Sequence, residues 1–212
     1  MASALQHLDT TQLVALAAAL GWASGLRLYA VIAITGLLGY AGWVDLPKGL
    51  EVLQHPVVLI AAGSMMFVEF FADKIPWVDS LWDAVHTFIR IPAGAALAAG
   101  VFGADHASWA TVAALLGGTL AATSHFSKAT ARAAVNTSPE PFSNVALSLL
   151  GDVTVPAMLW LALEHTTWFF VLLALALALM VVLTIVLWKF LRVVFQGIRK
   201  LIDGGQQPAM RS

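Results

Sequence analysis

The side chains able to do chemistry in this chain fall into helical stripes. Advancing about 100° per residue, Asp79, Asp83, His86 and Arg90 lie within a stripe roughly 60° wide. The spacing Asp79-x-x-x-Asp83-x-x-His86 presents two carboxylates and an imidazole on one helix face, a weak but recognisable set for a divalent metal ion. Arg90 on the same stripe opposes a cation. The mixed signs equally suit an anion, with Arg90, Lys128 and Arg132 placed to hold a phosphate. Glu69 and Asp73 stand one turn apart. His125, Lys128, Arg132 and Asn136 make a second stripe, and Asn144, Ser148 and Asp152 a third.

The plain alternative is that charges at helix ends reach for lipid headgroups or complement helix termini. It fits Lys74, Asp79, Asp83 and Lys128. It fits Asp152 and Arg27 less well, because both lie well inside apolar segments. A guanidinium at such depth needs a partner or a wet cavity. An Arg27–Asp152 pair is the economical expectation, and a polar cavity shared with Glu69 the alternative. Nucleophilic catalysis finds no support: Ser124-His125 belongs to no triad order or nucleophile elbow. Gly117-Gly118 and Gly21-x-x-x-Gly25 suit close helix packing better than a phosphate cradle.

The elements that must position these residues are apolar. Of 212 residues, 60% are hydrophobic and 11% charged, against about 25% charged in a soluble domain. Mean hydropathy is +0.85. This excludes an ordinary cytosolic enzyme and a disordered chain, and a net charge of −1 offers no footprint for nucleic acid. Zero cysteines exclude disulfides and thiol chemistry. The expected fold class is all-α: one polytopic membrane helix bundle over residues 1–203.

Six spans are expected, over about 13–40, 56–71, 84–102, 109–124, 142–163 and 166–188. Gly21 and Gly25 allow a kink or break in the first. A basic amphipathic helix follows to about residue 202, suited to anionic lipid, and then a flexible tail over 204–212. Six spans put Lys74, Arg90, Lys128, Arg132, Lys189, Arg192, Arg199, Lys200 and Arg211 on one side and Lys48 on the other. The expected orientation therefore has both termini in the cytoplasm. A cleaved signal is disfavoured, since no Lys or Arg precedes Arg27. Trp43, Trp77, Trp109, Trp168 and Trp188 sit where an aromatic belt belongs.

Spans two and three resemble spans four and five, which suggests a two-helix parallel repeat. Asp73-Lys-Ile-Pro-Trp-Val-Asp-Ser and Asn136-Thr-Ser-Pro-Glu-Pro-Phe-Ser-Asn both break and restart a helix, and Ile91-Pro-Ala matches Val155-Pro-Ala.

These motifs also carry a family resemblance. Glu69-Phe-Phe-Ala-Asp-Lys-Ile-Pro-Trp-Val-Asp-Ser, with Asp83 and Ile91-Pro-Ala-Gly, resembles the first motif of a bacterial integral-membrane family catalogued as domain of unknown function 4126. His125-Phe-Ser-Lys-Ala-Thr-Ala-Arg, the Asn136 segment and Leu147-Ser-Leu-Leu-Gly-Asp resemble its second. The likeness spans about residues 10–190, and Gly151 departs from it where an acid is expected. The resemblance implies an inner-membrane protein and no particular activity. Three readings stay open: a small transporter or channel with a polar site near the cytoplasmic face, a non-catalytic protein organising lipids or partners, and a metal-dependent enzyme acting on a lipid headgroup. The ligand, a small ion or a phosphate-bearing or lipid molecule, and any homo-oligomer are left open too.

Overall fold

The computed structural model describes residues 8–75, 77–137 and 142–204. The expected breakers Pro76 and 138–141, and the tail from 205 onward, lie outside them. The described residues form helices and turns: α1 Thr10–Tyr40, α2 Pro56–Ala72, α3 Val78–Phe102, α4 Ala107–Val135, α5 Phe142–Glu164 and α6 Thr166–Gly204. A 3-10 turn, Lys48–Gln54, precedes α2.

Helix α1 begins with a capping box, in which Asp9 accepts from the Gln12 amide and Gln12 returns a bond to Asp9 N–H. It breaks at Arg27, whose φ of −147° and ψ of 73° are not helical. Residues 10–26 run alongside α4 and antiparallel to α5. The Gln12 side chain donates to the Leu163 carbonyl near one end of α5, and Arg27 reaches Ser148 and Asp152 nearer the other. Residues 28–40 then turn back. Tyr29 meets His86, and Gly36 lies against Leu53 and Leu59 where α2 begins. Thr10 and Tyr40 therefore share the distal end of the bundle, and Arg27 sits near the opposite end, beside Asp73.

This corrects the reading of 13–40 as one span. The segment is a helical hairpin, and its break falls at Arg27 rather than at Gly21 or Gly25. Those glycines serve packing instead. A Cβ on Gly21 would stand 2.5 Å from Gly117 Cα, and one on Gly25 would stand 2.2 Å from the Ala121 carbonyl oxygen. The fold-back also puts Thr10 and the C-terminal end of α6 at opposite ends of the bundle, where six spans would put the first and last helix ends on one side.

Around α1, helix α3 packs along α4, and α5 and α6 close the remaining flank. Leu16, Leu20, Trp22, Val31, Leu159 and Phe169 form the core. The outside is apolar: Phe88, Leu115, Leu150, Leu175 and Val193 are all exposed. By length and composition alone α1, α3, α5 and α6 are long and apolar enough to cross a membrane, although α1 reaches that length only across its break at Arg27, and the 3-10 turn with α2 adds a fifth candidate bent by 70°. Helix α4 is not among these candidates, because its inner half carries Ser124, His125, Ser127 and Arg132, all buried against its neighbours. Pairs α2–α3 and α4–α5 are each joined at the Arg27 end and make little contact of their own, and Pro92 and Pro156 sit inside α3 and α5. Helix α6 runs unbroken from the last expected span through the basic amphipathic stretch that follows it.

Candidate functional site

Where the hairpin turns, the side chains of α2, α3, α4 and α5 converge. Five acids, Glu69, Asp73, Asp79, Asp83 and Asp152, meet five bases, Arg27, Lys74, Arg90, Lys128 and Arg132. Formal charge within the network is thus balanced. Asp73, fully buried, is its hub: Arg27 Nη1 lies 2.9 Å and Lys128 Nζ 3.0 Å from its Oδ2. Lys128 also reaches Asp83 at 3.3 Å, joining two layers.

One branch contains Arg27, whose Nη2 lies 2.9 Å from Asp152 and donates to both the hydroxyl and carbonyl of Ser148. Lys74 adds Ser148 and Asp152 at 3.2 and 3.6 Å. It lies in the turn after α2 with its ammonium against the Phe70 ring. Partial burial holds that ammonium below its ordinary range, while Asp152 works the other way.

A second branch centres on Arg90, a fully buried guanidinium clamped by Glu69 at 2.5 Å and Asp83 at 2.6 Å. His125 touches this pair. Thr87 donates its hydroxyl to the Asp83 carbonyl and lies 2.7 Å from His125 Nε2, while His125 Nδ1 lies 3.4 Å from Arg90 Nη1. The third branch holds Arg132, which bonds the Asp73 carbonyl and lies 3.1 Å from Asp79. Asn136 donates to Asp79 and Ser80, and Asn144 donates to Asn136.

Backbone takes part as well. The Leu26 carbonyl at the α1 break accepts from Lys128 Nζ at 3.1 Å, and the Trp22 carbonyl accepts from Ser124 at 2.6 Å. The bends of α1 are thus held by side chains of α4, since an unmet carbonyl in an apolar setting is costly.

His86 stands apart from the network's centre. It bonds the Tyr29 hydroxyl at 3.1 Å and the Trp82 carbonyl at 2.8 Å, and stacks on the Trp82 ring. The metal reading of Asp79, Asp83 and His86 is therefore corrected. Asp79 answers Arg132, Asp83 answers Arg90 and Lys128, and the imidazole is engaged elsewhere. Among the described residues, no three His, Asp or Glu side chains are grouped to hold an ion. Tyr29, Ser80, Thr87 and Ser124 join the site without having been read from the sequence. Thr87 had only a weak signal, one turn after Asp83 and about 40° past the edge of the stripe; Tyr29 had none.

The model of a domain of unknown function (DUF4126) matches residues 14–186. The chain belongs to this family. The match takes in both halves of the α1 hairpin and every charged residue of the network. No curated protein and no solved structure matches the chain.

Proposed function

We propose that this family member is a small transporter or channel for a charged solute, working at the network where α1 breaks. The observation that carries the reading is the fully buried Asp73 between Arg27 and Lys128, right at that break. Ionised side chains at such depth are costly in a membrane protein and by default mark a pathway. Discontinuous helices whose freed backbone meets polar side chains are how transporters build midplane sites. A neutral network of alternating signs suits passage, because an entering ion exchanges one partner for another. The proposed location is the bacterial cytoplasmic membrane, crossed several times. The network end faces the cytoplasm, since Lys74, Lys128, Arg132, Lys189 and Arg192 cluster there.

The competing reading, an organiser of lipids or partners, draws on α6, whose apolar window is only 6% buried within the bundle. One measurement separates the two. Proteoliposomes on a solid-supported membrane are exposed to steps of sodium, potassium, chloride, inorganic phosphate and pH. Transport predicts a current for at least one step, diminished in Lys128→Gln. No current for any of the five overturns the transport reading.

A further inference from the structure

One cavity of about 260 Å³ opens between α1, α4, α5 and α6. Its polar end holds Arg27, Lys128 and Arg132 against a single acid, Asp73. The network as a whole is neutral, but the part that lines this cavity carries two more positive than negative charges. The hydrogen bonds point the same way. Arg132 Nη1 is engaged and its Nη2 lies 3.4 Å from Asp73 Oδ2, yet its Nε has no hydrogen-bond partner, and neither has Trp22 Nε1. Both residues line the cavity and both are 1% exposed. Buried N–H groups are nearly always paired, so two orphan donors on residues that line one cavity call for an acceptor-rich group. The orphaned carboxylate oxygens of Glu69, Asp83 and Asp152 belong to residues that do not line it.

The other end is apolar. Leu147, Leu150, Leu179 and Leu183 form its walls, and Leu150, Leu179 and Leu183 are themselves exposed on the outside of the bundle. The mouth therefore opens sideways between α5 and α6, toward lipid. We propose that this cavity binds an anionic membrane lipid. Its phosphate accepts from Arg132 and Lys128, and one acyl chain lies among the leucines. The volume suits a single chain segment rather than a whole two-chain lipid. This goes beyond the transport reading, because binding is expected whether the lipid is cargo or a fixed tenant.

The test uses the full chain in neutral detergent, with thermal stability and native mass spectrometry as readouts. The probes are palmitoyl lysophosphatidate, palmitoyl lysophosphatidylcholine and sodium phosphate. The expected result is retention and a raised Tm with lysophosphatidate, at least tenfold weaker binding of lysophosphatidylcholine, and no comparable effect of phosphate alone. Ala176→Phe fills the apolar end without touching a charge and is expected to weaken lysophosphatidate at least tenfold. Arg132→Gln is expected to do the same if it folds. Equal binding of the two lysolipids, an equal effect of free phosphate, or full binding by Ala176→Phe overturns the proposal.

Discussion

Arg27 lies 2.9 Å from each of two carboxylates, Asp73 at the C-terminal cap of α2 and Asp152 in α5. Arg27→Leu leaves both behind. Asp73 keeps Lys128 and Arg132, so Asp152 is the more exposed to the loss. Breaking a buried pair costs about 3–5 kcal/mol, and Arg27→Leu is expected to destabilise on that scale. Asp152→Asn costs less, because its side chain is 24% exposed and Lys74 remains beside it. The double variant Arg27→Leu with Asp152→Asn recovers part of the loss, by more than about 0.5 kcal/mol of coupling. Thermal melts of the three variants in detergent check this, and strictly additive losses would exclude direct coupling. The stripes behind this geometry were legible in the sequence, since a period of 3.6 places Asp79, Asp83 and Arg90 on one face whatever they meet. What they meet was not legible. The Arg90 clamp needs Glu69 from another helix, and no spacing rule reports that.

At the scale of elements, the hairpin of α1 is the part of the fold that composition hid. Its two halves are apolar throughout, so hydropathy reads them as one segment. The break is held by Ser124 and Lys128, which are 102 residues away from the carbonyls they meet. Topology provides the direct check, and zero cysteines make the background clean. Single variants Thr11→Cys and Lys48→Cys are expected to react with a membrane-impermeant maleimide from the same side, and Arg192→Cys from the other. Labelling of Thr11→Cys together with Arg192→Cys would mean α1 crosses once. Packing gives a second check. Gly21→Ala drives a methyl into the backbone of α4 at Gly117 and is expected to cost about 1–3 kcal/mol. Gly63→Ala in α2 meets nothing within 4 Å and is expected to be neutral or to stabilise by about 0.5–1 kcal/mol. Equal effects of the two in thermal melts would show that the α1–α4 contact is looser than described.

At the scale of the molecule, the charges of the network are inside and the outer face is largely apolar. Salt acts on exposed charges within about 10 Å at 0.1 M and far less on buried ones. Raising sodium chloride from about 0.05 M to about 1 M is therefore expected to leave Tm nearly unchanged. A large fall in Tm would mean that the network is wetted by bulk solvent. Helix α6 is 39 residues long, about 58 Å, which is nearly twice the hydrocarbon thickness of a bilayer. A crossing that starts at its first turns would leave the last ones, with Arg192 and Arg199, past the membrane on the side of the network.

The order of synthesis gives the hairpin a history. Arg27 emerges 125 residues before Asp152 and 46 before Asp73. At about 5–20 residues per second, the wait for Asp152 is roughly 6–25 s. For the first 46 residues of that wait neither acid exists, and for the rest Asp152 is still missing. Arg27 can complete its pairing only after α2 and then α5 have brought their carboxylates. Completion of the membrane domain is thereby timed by its most distant ion pair, and a chain cut short before Asp152 leaves Arg27 without one of its two acids.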